Sequence, residues 1–188
     1  MEKGFDQRVA HKLHTGLTGV YGFEHSSLAT FRRARTLGLR VIYDVPAPES
    51  GFVHNLLDHE MDKFPELRTA YHRHTAAREE RRLARRRAEW QCADLIITAS
   101  QFTRQSYARA GLDVSRAHVI HYGAPPPASL DEALGPREEN KARATFLWSG
   151  TFGIRKGAHY LLEAWRNGNF GRHARLQVFG AVTLPGRV

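Results

Sequence analysis

The chain has 188 residues and a mass of 21.3 kDa, which is more than one typical domain and less than two. Its 41% hydrophobic and 25% charged residues exclude a disordered or fibrous protein and allow a real core. Lys and Arg number 28 against 19 Asp and Glu, and the net charge of +9 favours anionic partners.

Cysteine and apolar content narrow the class of protein further. The single cysteine, Cys92, excludes an internal disulfide and a Cys-rich metal site. No stretch approaches the roughly 18 consecutive apolar residues of a membrane span, and the first residues are charged with no apolar segment behind them. We therefore expect a cytoplasmic chain, with peripheral contact to the inner face of a membrane as a further option.

The first predicted elements form a strand, a helix and a second strand. Residues 1–19 have no regular period, whereas residues 20–25 (VYGFEH) predict a short strand followed by a polar loop. Ser26 and Ser27 are candidate N-caps of a helix that ends at Gly38, in which apolar residues recur every three positions. Residues 39–45 (LRVIYDV) are typical of a strand covered on both faces. This succession predicts a βαβ unit.

The next stretch is polar and rich in arginine. Residues 64–91 predict a long and largely exposed helix, and from Lys63 to Gln91 nine Lys and Arg against four Glu give a net charge of +5. A second buried strand is predicted for residues 93–100, after which Ser100 is the candidate cap of a helix that closes at Gly111. A third strand, residues 117–121, ends in YGAPPP, where the prolines stop regular structure.

A new α/β alternation starts after a polar segment. We predict a partial first domain over residues 1–123, an interdomain linker over 124–140, and the start of a second domain over 141–188. Within the second domain, residues 144–150 and 174–182 predict strands, and AHYLLEAWRNG between them predicts a helix.

The most specific chemistry lies between the first strand and the helix of this second domain, in FLWSGTFGIRKGAHYLLEAWR. A strand ends at Gly150, a loop carries Arg155 and Lys156, and Gly157 lets a helix start directly after them. Helix N–H groups and two cations would then converge on a phosphate beyond the carboxyl edge of the sheet. An ordinary strand-to-helix turn with solvated basic residues is the alternative interpretation.

This segment resembles the start of the donor-binding domain of family 4 glycosyltransferases. In that family, G-R-x-x-x-x-K-G follows a strand and precedes a helix with L-L-x-A, and the matching positions here are Gly150, Lys156, Gly157, Leu161, Leu162 and Ala164. ADLIITASQFTRQSYARAG and HVIHYGAPPP upstream resemble the end of the family's N-terminal domain. The resemblance implies a partial GT-B fold, with an incomplete N-terminal Rossmann-like domain and the first βαβ of the C-terminal one.

The resemblance also implies a reaction and a donor site. The family's motif binds the diphosphate of a nucleotide sugar, so Gly150, Thr151, Arg155, Lys156 and Gly157 are the predicted donor site. Thr151 stands at the family's arginine position, and Arg155 is the candidate replacement for that charge. Transfer to a hydroxyl of a saccharide, a lipid-linked acceptor or a small molecule would retain configuration and need no metal, which fits the absence of Asp-x-Asp. No cofactor other than the donor is implied.

Two elements of the family have no counterpart in this sequence. The glycine-rich first loop and the Glu-x(7)-Glu element of the second domain are both missing. The resemblance therefore covers the middle of the fold, and we expect little or no transfer activity from this chain alone.

The remaining candidates are weaker. An acceptor-side loop, PAPESGFVHN, offers His54 as a catalytic candidate, with Glu49 as the other choice, and the eleven histidines match no metal-ligand spacing. Residues 78–87 (REERRLARRR) suggest a different function, a non-catalytic basic α/β module that binds nucleic acid or an anionic membrane. The two glutamates in that run and the lack of interleaved aromatic residues argue against nucleic acid, so a solvated helix face is the simpler interpretation.

Overall fold

The computed structural model describes residues 2–68, 70–126 and 144–185, without the side chains of residues 2, 3 and 70–79. Helices and strands alternate along most of this length, as the sequence predicts. The elements are α1 (Glu2–Lys12), β1 (Gly19–Phe23), α2 (Leu28–Thr36), β2 (Arg40–Val45), α3 (Ser50–Lys63), α4 (Ala70–Cys92), β3 (Leu95–Thr98), α5 (Gln101–Arg109), β4 (Ala117–Val119), β5 (Ala144–Ser149), α6 (Ala158–Asn167) and β6 (Ala174–Phe179).

The chain divides into two compact units. Unit 1 consists of Met1–Leu56 and Ala70–Gly123, and unit 2 consists of Leu57–Thr69 and Ala124–Val188. The predicted linker, residues 124–140, lies outside the described residues from residue 127 onward. Nothing in the sequence indicates that residues 57–69 group with the second unit.

Unit 1 is built on a parallel sheet of four strands in the order β1-β2-β3-β4. Gly22 pairs with Tyr43, Tyr43 with Ile96, and Ile96 with Ala117, so the four strands are in one continuous register. Helices connect the successive strands, which gives the alternating βα units of a Rossmann-like architecture. The predicted α/β class and parallel sheet are confirmed.

The core of unit 1 lies on one face of this sheet. Tyr43 and Ile96 are fully buried there, under Phe31 of α2, Trp90 of α4 and Tyr107 of α5. The Trp90 and Tyr107 rings stack with centroids 4.3 Å apart, and Phe31 meets Tyr43 edge to face. Successive side chains of a strand point to opposite faces of the sheet, so every second residue of these strands enters the core.

The opposite face of the sheet is more open than the sequence predicts. Asp44 and Val45 of β2 are both buried, which agrees with a strand covered on both sides near its end. Tyr21 and Phe23 of β1 and Ile120 after β4, in contrast, are each more than half exposed.

The start of α2 shows how a distant residue replaces an expected cap. Ser27 does occupy the N-cap position, but its hydroxyl donates to the carbonyl of Phe23. The free N–H groups of Ala29 and Thr30 donate instead to the carboxylate of Asp6 in α1, at 2.8 Å each. The sequence did not predict α1, and it assigned the cap to the wrong side chain.

Two further elements differ from the prediction. The predicted loop PAPESGFVHN contains the start of α3, because the Glu49 carboxylate accepts from the N–H of Phe52 and caps this helix. The long helix predicted for residues 64–91 begins only at Ala70, after a short 3₁₀ turn at Pro65–Leu67. At α5 the prediction is confirmed, since Ser100 accepts from the N–H of Thr103.

Unit 2 contains a parallel pair of strands, β5 and β6, connected by α6. Phe152 and Val182 extend the pairing by one further bridge. Ile154 is buried with Met61 and Leu67 in a small apolar cluster. The predicted strands and the helix between them are thus confirmed.

Candidate functional site

The loop between β5 and α6, residues 150–157, depends on two glycines. Gly150 follows β5 with φ of 107° and Gly157 precedes α6 with φ of 75°, both in the left-handed region that side chains disfavour. Between them, Ile154–Lys156 form one 3₁₀ turn whose buried Ile154 anchors the loop. A helix therefore begins immediately after the two basic residues.

The hydrogen bonds of this loop decide which backbone groups remain for a ligand. The N–H groups of Lys156 and Ala158 donate to the carbonyl of Gly153, and that of Gly157 donates to Ile154. The N–H groups of residues 156–158 are therefore used within the loop. Within the described residues, the N–H groups of His159 and Tyr160 have no acceptor, so the positive end of the helix lies at these two residues.

The two cations of the loop are accessible. Arg155 and Lys156 are exposed, and neither forms an ion pair or a side-chain hydrogen bond with any residue in the described ranges. Thr151 is exposed as well. All five residues of the predicted donor site lie on this loop, where two positive side chains precede a helix N-terminus and can bind an anion.

A carboxylate lies against the same helix, with partners other than the Arg-rich helix to which the sequence suggests a salt bridge. Glu60, in the half of α3 that belongs to unit 2, accepts from the Tyr160 hydroxyl and from Lys63 Nζ at 2.9 Å. These bonds, the one from Tyr160 above all, lower the pKa of Glu60 to about 2. Glu60 is a hundred residues away from Tyr160 in the chain, so no local pattern could have revealed the contact.

His159 is the buried member of this group. Its side chain is 6% exposed, it packs edge to face on Phe64, and neither ring nitrogen has a hydrogen-bond partner among the described residues. Its Nε2 atom lies 3.6 Å from Oε2 of Glu60, beyond hydrogen-bond distance. We refer to Glu60, Lys63, His159 and Tyr160 as the Glu60 cluster.

The carboxyl edge of the unit 1 sheet holds a second set of polar residues. Tyr21 donates to Asp44, and this hydrogen bond raises the pKa of Tyr21 to about 12. Burial raises the pKa of Glu24, whereas Arg86, 3.7 Å away, acts in the opposite direction. His25 adopts a left-handed φ of 72°, rare for a residue with a side chain. Ligands often bind at this edge in α/β sheets.

Arginines of α4 are used inside unit 1. Arg85 donates to Asp6 at 2.6 Å and to Glu89 at 3.1 Å, and Arg86 donates to His25. The side chains of Arg85 and Arg86 are only 17% and 14% exposed. The prediction of a solvated basic face is therefore wrong for these two arginines. Arg81, Arg82 and Arg87 do remain exposed.

His54 lies on α3 and not in a loop. It is half-buried and makes no hydrogen bond or ion pair with another residue in the ranges that the structure covers. Because it belongs to unit 1, the structure does not group it with the loop of unit 2.

The described residues offer neither a metal site nor a membrane-spanning helix. No group of three His, Cys, Asp or Glu side chains in residues 2–68, 70–126 and 144–185 could hold a metal ion. Over those ranges, no helix combines the length and the apolar character that crossing a bilayer requires.

No model of a known protein family matches the sequence, and no curated protein matches it either.

Proposed function

We propose that this chain acts in glycosyl transfer of the family 4 type and binds the diphosphate of a nucleotide sugar at the loop of residues 150–157. The sugar would pass to a hydroxyl of a saccharide, a lipid-linked acceptor or a small molecule. The sequence motif suggests this reaction, and the geometry of unit 2 supports an anion site at the position that the motif requires.

One observation carries the proposal. Arg155 and Lys156 are exposed and unpaired among the described residues, directly before a helix with free N–H groups at His159 and Tyr160. A helix start commonly finds a side-chain cap, and α6 has none over the part of the chain that the structure describes. Two cations and two N–H donors left open within residues 155–160 favour a ligand with two or more negative charges.

The loop cations would act on the negative charge that develops on the leaving diphosphate. The bond between the sugar C1 and the diphosphate oxygen breaks, so negative charge grows on the diphosphate. Fixed cations and helix N–H groups stabilise that charge in the transition state without reorganising. In a retaining transfer the acceptor oxygen bonds to C1 on the face that the diphosphate leaves, and its proton passes to a diphosphate oxygen. Lys156 and Arg155 are the residues to which we assign the stabilisation, and no protein nucleophile is needed.

The test is calorimetric titration of the full chain with UDP, GDP and ADP. Lys156→Ala is expected to weaken the binding of the preferred nucleotide by about tenfold or more, since a hydrogen bond to a charged group contributes roughly 1.5–3 kcal/mol. Arg166→Ala is the matched control, because Arg166 is an exposed cation in the last turn of the same helix. Absence of nucleotide binding, or an equal loss in both variants, would contradict the proposal.

The alternative function, a basic module that binds nucleic acid or an anionic membrane through α4, loses two of its arginines to internal contacts. It would have to rely on exposed residues such as Arg81 and Arg82. Binding of duplex DNA or phosphatidylserine vesicles that falls steeply with salt and is lost on replacing these two arginines would favour it over glycosyl transfer.

A further inference from the structure

One face of the unit 1 sheet carries exposed aromatic rings beside a buried carboxylate. The strand register places Tyr21 beside Ile42 and Phe23 beside Asp44, so these four side chains share one face of the sheet. This face lies opposite the core, and Tyr21 and Phe23 are 53% and 55% exposed on it. An open area of this kind is unusual in a parallel sheet, whose two faces are normally covered.

The two rings meet at nearly a right angle. Their centroids are 5.4 Å apart and their planes are inclined by 77°. The Tyr21 hydroxyl donates to Asp44, which is also the neighbour of Phe23 across the strand pair. The carboxylate therefore lies next to both rings. We refer to Tyr21, Phe23 and Asp44 as the aromatic corner.

Asp44 is a buried charge that has no cation beside it. Its side chain belongs to a residue that is 7% exposed, and within residues 2–68, 70–126 and 144–185 the neutral Tyr21 hydroxyl is the only donor to its carboxylate. No basic side chain in those ranges forms an ion pair with it. Buried carboxylates are usually paired, because removing the charge from water is costly. A cation that reaches Asp44 would therefore be bound favourably.

The electrostatic potential at the aromatic corner is negative, although the whole chain carries a net charge of +9. The hydrogen bond to Asp44, followed by burial and by the charge of Asp44, raises the pKa of Tyr21 to about 12. Burial, and then the charges of Asp44 and Glu24, raise the pKa of Tyr122. Arg86, the cation that acts on Glu24, donates to His25 at 2.8 Å. Negative charge thus dominates at the point where the rings are open.

We propose that the aromatic corner binds the ammonium group of a small organic cation, which lies against the exposed rings of Tyr21 and Phe23 and pairs with Asp44. Aromatic rings attract a cation because their faces carry partial negative charge. An ammonium group with alkyl substituents offers apolar surface to the rings and positive charge to the carboxylate. A saccharide also stacks on aromatic rings, but its neutral hydroxyls would leave the charge of Asp44 uncompensated. This ligand is opposite in charge to the one proposed for the loop of unit 2.

The experiment compares choline with 3,3-dimethylbutan-1-ol, a neutral molecule of the same shape, in NMR titrations of the full chain. Choline is expected to shift the ring signals of Tyr21 and to bind about fivefold more tightly than the neutral analogue, because only choline pairs with Asp44. Phe23→Leu keeps an apolar side chain but removes the ring, and it is expected to weaken choline binding about threefold. Phe5→Leu is the matched control, since Phe5 is equally exposed, at 55%, in the same unit.

Asp44→Asn tests the charge directly, because asparagine keeps an acceptor for Tyr21. This variant is expected to weaken choline binding about tenfold and to leave binding of the neutral analogue unchanged. If Asp44→Asn fails to fold, the comparison of Phe23→Leu with Phe5→Leu decides. Equal affinity for choline and its neutral analogue would reveal an apolar patch only and overturn the inference. Absence of choline binding, or binding of methyl glucoside in its place, would overturn it as well.

Discussion

Replacing Glu89 by glutamine is expected to destabilise unit 1 by about 3 kcal/mol, because this side chain is the buried acceptor of four donors. Glu89 is 0% exposed. One oxygen accepts from the Tyr43 hydroxyl at 2.9 Å and the His25 N–H at 2.8 Å, and the other from the Ser27 N–H and Arg85 Nε at 3.1 Å each.

The magnitude follows from the geometry of an amide. Glutamine keeps one acceptor oxygen and places an NH₂ group where the second oxygen was, so two of the four donors lose their partner. A hydrogen bond to a charged group is worth at least about 1.5 kcal/mol, and two of them give about 3 kcal/mol. For a unit of this size, that loss lowers the melting temperature by roughly 12 °C.

Thermal unfolding followed by circular dichroism gives the size of the change, and hydrogen exchange of the β2 amides locates it in unit 1. The matched control is Glu80→Gln, since Glu80 is exposed on the same helix. Surface changes of this kind stay within about 0.5 kcal/mol. If Glu89→Gln unfolds within that margin of Glu80→Gln, Glu89 does not hold unit 1 together as described.

Three further outcomes are expected. Asp6→Ala removes the cap of α2 and should cost about 2 kcal/mol, seen as faster hydrogen exchange in that helix than in α5. Gly157→Ala introduces only left-handed strain of roughly 1–2 kcal/mol, whereas Gly180→Ala also drives a methyl group to 2.2 Å from a backbone oxygen, so urea unfolding should show the larger loss for Gly180. The pKa of Glu60, about 2 when folded, lies below the roughly 4.3 of an unfolded glutamate. The stabilisation by Glu60 is therefore complete above about pH 5 and lost toward pH 2, and the difference between wild type and Glu60→Gln in urea unfolding should disappear over that window.

Elements with a local signal could be predicted from the sequence. Apolar β-branched runs such as residues 39–45 became strands, and Ser100 caps α5 because donor and acceptor are three residues apart. The loop at Arg155 and Lys156 was predicted for a similar reason, since glycine and charge stand side by side in the chain. Short-range chemistry of this kind does not depend on the rest of the fold.

Features held by distant contacts could not be predicted. Helix α1 has few apolar positions to give it a period, and it is tied to the fold through Asp6, which pairs with Arg85 79 residues later. The Glu60 cluster combines α3 with the start of α6, and the position of Glu60 in the sequence gives no hint of Tyr160. The arginines of α4 look like a solvated face until their carboxylate partners are known.

The arrangement at the start of α2 also makes this helix depend on α4. The Ser27 hydroxyl turns away from the helix, so α2 has no cap of its own. Asp6, which supplies one, is held in place by Arg85, and the Ser27 N–H is held by Glu89. Two hydrogen bonds with α4, from Arg85 to Asp6 and from the Ser27 N–H to Glu89, thus complete the start of α2, so a change in α4 reaches a helix about fifty residues earlier in the chain.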